Sequence, residues 1–376
     1  MLDLADPVAV LRELAGCPTA PFHELRVAAR LGLLMQDLGL PVHVDAYGNL
    51  LVHYAGGAAR PLALVAHMDH PALEVLETAP LTGRLLGGVP LRCLERPVAV
   101  RFLLEDREDR KDQEVAGRIV GYFEGEGFVG LRLEAEAPVL AGTFGVFDLE
   151  DFREDADGLL YQRAADDLAG CAAIVSVLAR CVAERIPATV LGLFTRAEEV
   201  GLIGATLVAQ QRLLPPETLV VSLECSRALP GAEIGAGAVI RVGDRAACFS
   251  PEGDLLLQRA RDRLRDRDPS VRIQRQLMSG GTCEATAFML AGYTTVGVAF
   301  PLGNYHNAGP DDTIAPEYIH RRDLQAGVEL LVEAARGMAE LPSTDPLAER
   351  LARRAAEAAP RLQGTRAAFV QALSLR

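Results

Sequence analysis

The 376-residue sequence has no CxxC pair, no basic segment ahead of an apolar stretch at its start, and nothing near the roughly 18 consecutive apolar residues of a membrane-spanning helix. The first absence excludes zinc-ribbon and thioredoxin-type motifs. Seven cysteines, scattered and odd in number, point instead to buried thiols in a reducing compartment. The opening residues carry Asp3 and Asp6 and do not read as a signal peptide, so a cytoplasmic setting is expected. Basic residues are in short supply: 38 Lys and Arg stand against 51 Asp and Glu, for a formal net charge of −13. That average field repels polyanions, so neither nucleic acid nor a membrane is expected as a main partner, although local basic patches remain compatible with it. Internal repeats and low-complexity tracts are also absent.

What is present is an ordinary globular balance, 49% hydrophobic and 24% charged, on a chain longer than one typical domain. Two segments of helical period, DPVAVLRELAG and FHELRVAARLGLLMQDLGL, each end at glycine. VHVDAYGNLLVHYAG alternates around a Gly-Asn turn and predicts a hairpin, and PLALVAHMD a buried strand. From about Pro80 to about Leu149 the character changes to short strand-like runs separated by glycine and proline, which predicts a small all-β insert. The mixed-charge block EDREDRKDQE (105–114) within it reads as a solvated loop tip. Helix and strand patterns then alternate, with continuous apolar strands such as ATVLGLF and TLVVSL and a long amphipathic helix from YIHRRDLQ onward. The expected fold is α/β, a mostly parallel sheet flanked by helices. The expected division is 1–79 and 150–343 for the α/β part, 80–149 for the insert, and 344–376 for a C-terminal helix.

Metal-ligand residue types close five of these strands or the turns after them: His67 with Asp69, Asp166-Asp167, Glu198-Glu199, Glu224, and His306. Each has a bland reading by itself. His67 could be a hydrogen-bonded interior histidine, Asp166 a helix cap, Glu224 the partner of an arginine such as Arg227. Together they would gather where open α/β sheets bind ligands, at the carboxyl ends of the strands. Carboxylates crowded there repel one another unless positive charge lies between them, and two divalent cations supply it. Mixed imidazole and carboxylate donors suit zinc, and also cobalt or manganese. One of the paired glutamates is then free to move a proton. Asp69, two residues past His67, is expected to accept a hydrogen bond from its free ring nitrogen. His70 reads as a strand cap more than a pocket residue. Cys283 lacks a partner base that would make it a nucleophile.

In this order, DAYGNLL, LVAHMDH, AADDLAG, RAEEVGLIGA, LECS and GYTTVGVAFPLGNYHNAG resemble the M42 family of dinuclear-metal aminopeptidases, over about residues 5–340. The resemblance implies a zinc-aminopeptidase/phosphorylase-like fold with the β insert placed between the first histidine and the Asp-Asp pair. By position it makes Asp166 the bridging ligand, gives His67 and Glu224 to one metal and Glu199 and His306 to the other, and makes Glu198 the general base. It also implies a cis peptide between Asp166 and Asp167. Departures stand at His70-Pro71-Ala72, at Leu168, at Glu224 where aspartate is common, and at Cys283-Glu284.

The expected activity is therefore removal of N-terminal residues from peptides, using two metal ions and a glutamate base, in a dimer-based homo-oligomer that could extend to a dodecamer. A metal-dependent deacylase or carboxypeptidase acting on small amides is the alternative, and an inactive scaffold of the same fold stands third.

Overall fold

The computed structural model describes residues 2–57, 60–104, 113–340 and 346–374. Most of the 105–114 block therefore lies outside the described residues. Helices α1 (Pro7–Ala15) and α2 (Leu25–Asp37) lead into a hairpin of β1 (Val42–Val44) and β2 (Leu50–Ala55), and β3 (Leu62–His67) follows. Asp6 caps α1 through its side chain, with proline at the first helical position.

Six strands then close into an antiparallel barrel: β4 (Ala72–Thr78), β5 (Leu81–Leu86), β6 (Val98–Leu104), β7 (Gln113–Glu124), β8 (Val129–Ala135) and β9 (Phe144–Phe147). Its first strand, β4, precedes Pro80, where the insert was expected to start. Alternate positions turn inward, and Leu73, Phe102, Ile119 and Leu131 fill the interior.

The chain returns through β10 (Arg153–Glu154) and β11 (Leu159–Gln162) to α3 (Ala165–Glu184), β12 (Thr189–Thr195), α4 (Ile203–Gln210), β13 (Leu219–Arg227) and β14 (Ala238–Arg241). It continues with α5 (Pro251–Arg267), β15 (Ile273–Gln276), α6 (Glu284–Leu290), β16 (Thr294–Leu302), β17 (Glu317–His320) and α7 (Arg321–Gly337). The main sheet has eight strands in the order β1-β2-β12-β3-β13-β16-β14-β15. Its centre, β12-β3-β13-β16, is parallel, and antiparallel pairs flank it on both sides. Every residue of β3 is buried, as a strand covered on both faces requires. Leu191 and Leu193 of β12 pack with Val208 of α4 and Phe288 of α6 on one face. A Cβ on Gly192, between them, would come 2.9 Å from Ile174 of α3, so glycine there lets α3 lie close on the other face.

One element departs from expectation. Residues 318–320, read as the start of the long helix, belong to β17, which pairs with β11 in a three-stranded sheet with β10. The apolar positions of EYIH fit either period, and pairing with a distant strand decides between them. A second unit, residues 340–376, contains the helix α8 (Pro346–Ser374). No helix among the described residues is long and apolar enough to cross a membrane.

Candidate metal centre

The parallel registry sets the levels at which the side chains emerge. His67 ends β3 opposite Thr195 of β12, so the turn carrying Glu198 and Glu199 starts beside it. Ser222 of β13 lies opposite Val65, which brings Glu224 level with His67. Asp166 stands at the start of α3, and its peptide bond to Asp167 is cis. His306 follows β16 in a turn where Asn304, His306 and Asn307 all have φ of 53 to 59°, a left-handed geometry uncommon outside glycine and frequent at binding sites.

These residues converge. Nε2 of His67 lies 3.3 Å from Oδ1 of Asp166, 3.8 Å from Oε1 of Glu224 and 4.0 Å from Oε2 of Glu198. Nε2 of His306 lies 3.8 Å from Oδ2 of Asp166 and 3.3 Å from Oε2 of Glu199. Asp166 thus turns one oxygen toward each imidazole. Donor atoms of His67, Asp166 and Glu199 fall within 4.8 Å of one another, as do those of His67, Glu198 and Glu224. Nε2 of His67, Oδ1 of Asp166 and Oε1 of Glu199 are buried with no hydrogen-bond partner among the described residues. Orphaned imidazole and carboxylate atoms aimed at common points are the donor set that zinc-type divalent cations take.

The electrostatics agree. Burial pushes the carboxyls of Glu198 and Glu199 well above their ordinary range, and neighbouring carboxylates add to the rise. Asp166 is raised to about 8, chiefly by burial and then by the charge of Glu224. Burial opposes a charge on His67, yet Glu198, Asp166 and Glu224 outweigh it and hold its pKa well above the usual histidine value. Carboxylates packed this closely favour a bound cation over their own ionisation in isolation.

Asp69 departs from its expected contact. Nδ1 of His67 meets the main-chain oxygen of Asp69 at 3.1 Å, whereas the Asp69 carboxylate is 3.7 Å away. That carboxylate instead accepts the backbone N–H groups of Glu198 and Glu199, at 2.9 and 3.1 Å. The reason is that β3 stops at His67, so strand alternation no longer holds at residue 69. The arginine beside Glu224 is Arg241, 3.9 Å away, and not Arg227, whose guanidinium lies over the Tyr305 ring. A Cβ on Gly297, across from Arg241 on β16, would come within 3.0 Å of that side chain, so glycine opens its slot. His70 is held at both ring nitrogens, Nδ1 2.6 Å from the Asp166 carbonyl and Nε2 2.9 Å from Oδ1 of Asn307. It braces the turn and does not line the pocket. Burial pushes the Cys283 thiol up to about 12, which removes it as a nucleophile.

Two acids were not foreseen. Glu317, fully buried on β17, accepts the N–H of Asp166 at 2.9 Å with one oxygen and that of His306 at 2.8 Å with the other. Glu284, at the start of α6, is bonded to the Thr195 hydroxyl and raised by burial to about 7. A cavity of about 440 Å³ opens over the cluster, with Arg227, Leu229, Met278 and Tyr305 in its wall.

The family model for M42 glutamyl aminopeptidases matches residues 129–330, more than half of the sequence. The chain belongs to the M42 glutamyl aminopeptidase family. It is a hydrolase acting on peptides. The fold is also that of solved M42-type structures. The TET1 peptidase of Pyrococcus horikoshii, whose structure is described as assembling into a tetrahedron or a large octahedral shell, superposes with a TM-score of 0.71 at 23% identity, covering 88% of this chain and 99% of that one. A TET aminopeptidase from a marine sediment thaumarchaeon gives 0.74 at 19%, covering 89% and 99%. An aminopeptidase from Desulfurococcus kamchatkensis gives 0.71 at 19%, covering 91% and 99%.

Proposed function

We propose that this M42 peptidase removes N-terminal residues from peptides at a dinuclear metal centre with Glu198 as the general base. The observation that carries the reading is the Asp166 carboxylate set between two imidazoles, with its Oδ1 and the facing Nε2 of His67 both unpartnered. His67, Glu224 and Asp166 would hold one divalent cation, and His306, Glu199 and Asp166 the other. Zinc suits these donors, and cobalt or manganese can replace it. Bound there, the two cations supply Lewis-acid polarisation of the scissile carbonyl and a lowered pKa for an attacking water.

The protein's own groups do the rest. Glu198 takes the water's proton on its carboxylate and delivers it to the leaving amine. Asp69 holds the Glu198-Glu199 backbone, so the base and its neighbouring ligand keep a fixed spacing. Arg241 steadies Glu224 from the side away from His67. We further propose a cytoplasmic homo-oligomer. The P. horikoshii relative's printed assemblies support that reading.

The test is hydrolysis of aminoacyl p-nitroanilides, free and N-acetylated, with metal content read by mass spectrometry on the same samples. Chelator-sensitive cleavage of free amines, with two metals per chain and no turnover by Glu198→Gln, is the expected result. Cleavage confined to acetylated substrates would move the protein to deacylases, and failure to retain metal would overturn the centre itself.

A further inference from the structure

When water adds to a scissile amide, the carbonyl oxygen takes up negative charge, and a hydrogen-bond donor fixed beside it lowers the barrier. The wall of the cavity over the metal cluster offers donors in Ser226, Arg227, Arg241, Thr282 and Tyr305. Arg241 is already committed, with Nη1 2.9 Å from the Ser226 hydroxyl and Nη2 3.3 Å from the Gly281 carbonyl, and it engages Ser226 in doing so. Arg227 and Thr282 are exposed. Tyr305 is different. Its hydroxyl has no hydrogen-bond partner among the described residues and lies in the field of the Asp166, Glu199, Glu224 and Glu198 carboxylates. It borders the Gly280-Gly281 turn, where a Cβ on Gly281 would stand 3.8 Å from it.

The phenol is also held still. Its ring stacks on the His306 imidazole, centroids 3.7 Å apart and planes 22° from parallel, and the Arg227 guanidinium lies 5.1 Å from its centroid. The backbone on either side is tied down. Nδ2 of Asn304 donates to the Pro316 carbonyl at 2.7 Å, the N–H of His306 to Glu317 at 2.8 Å, and Nδ2 of Asn307 to the Arg163 carbonyl at 2.9 Å. A donor fixed in place and still unpaired needs no reorganisation when charge appears beside it.

We propose that Tyr305 is a catalytic residue whose hydroxyl donates a hydrogen bond to the carbonyl oxygen as the tetrahedral adduct forms. The role rests on the aminopeptidase reading. The water oxygen bonds to the carbonyl carbon, the carbonyl π pair moves onto its oxygen, and the water's proton goes to Glu198. Tyr305 keeps its own proton throughout. As the adduct collapses the pair returns, the C–N bond breaks, and Glu198 passes its proton to the departing amine.

Tyr305→Phe removes the hydroxyl and leaves the ring on His306. It should keep wild-type metal content by mass spectrometry while kcat on aminoacyl p-nitroanilides falls roughly 10²–10³-fold at little change in KM. Calorimetry on the metal-loaded protein gives a readout independent of turnover. The aminophosphonic acid analogue of the best-cleaved residue mimics the tetrahedral adduct and should bind the variant roughly tenfold or more weakly, whereas the free amino acid should bind both proteins alike. Unchanged kcat in the variant, beside an active wild type, would overturn the role alone. So would a higher KM at constant kcat, or equal weakening of both ligands, either of which makes Tyr305 a binding contact outside the chemistry. Metal loss in the variant would reassign the hydroxyl to holding the centre together. A wild type that holds metal and cleaves no free-amine substrate would overturn the aminopeptidase reading itself, and the role of Tyr305 with it.

Discussion

The Asp69 carboxylate accepts the backbone N–H of Glu198 at 2.9 Å, tying the end of one central strand to the turn after its neighbour. Its second oxygen takes the N–H of Glu199 in the same way. Replacing it with asparagine turns one acceptor into a donor that faces an N–H. Asp69→Asn should therefore lower kcat/KM by roughly 10–100-fold, the usual range for residues that orient a metal site from behind. Steady-state kinetics with metal titration measures it, and an unchanged kcat/KM would show that the Glu198-Glu199 turn holds its shape without Asp69.

The paired glutamates should separate cleanly. Glu198→Gln is expected to keep both metals and lose roughly 10²–10⁴-fold in kcat, the range for a lost general base. Glu199→Gln should bind less metal, because its carboxylate faces His306 at 3.3 Å. Metal content and turnover measured on the same samples decide this. Equal metal loss in both variants would contradict the assignment.

Glu317→Gln should cost about 1–3 kcal/mol of unfolding free energy, since one of two buried N–H groups loses its acceptor. Those two N–H groups belong to Asp166 and His306, so metal affinity should fall as well. Urea unfolding of the metal-free protein isolates the first effect, and a titration with zinc reports the second.

Acid should weaken the packing of α5 on α7 through Glu333. Burial works to raise its pKa, but hydrogen bonds from Arg263 and Arg336, with the charge of Arg267, bring it below the ordinary 4.5. A depressed carboxylate pKa gives stability that is complete above the unfolded value of 4.5 and is lost as pH falls through the folded value. Glu333→Gln should thus unfold at lower urea than wild type at pH 7, and the two midpoints should converge as the pH drops below 4.5. A gap that persists in acid would assign the effect to packing.

Legibility in the sequence followed the length of the apolar run. His67, Glu198-Glu199 and Glu224 each end a buried strand or follow it directly, so the apolar pattern locates both the strand and the polar group at its end. Asp166 was readable as the acid opening a helix. Glu317 was not, because it sits on a four-residue strand whose partner lies more than 150 residues earlier. Arg241 was hidden for a related reason: β14 is short, and only its antiparallel pairing with β16 turns the guanidinium toward Glu224. Asp69 was expected at the ring nitrogen of His67, whereas its carboxylate meets the N–H groups of Glu198 and Glu199, since no local signal marks where β3 stops pleating. Side chains at strand ends can be read from one segment, whereas the groups that brace them come from others.

The barrel interrupts the main sheet at its middle strand. β3 ends at His67, and the strands that flank it, β12 and β13, begin at Thr189 and Leu219. During synthesis β3 therefore leaves the ribosome without either neighbour, an apolar strand with both edges unpaired. The six strands of the barrel behind it are all made before β12, so the barrel has every partner it needs to close ahead of the main sheet. His67 is thus made long before Glu198, Glu199, Glu224 and His306, and the cluster they form can assemble only once β16 has followed the barrel.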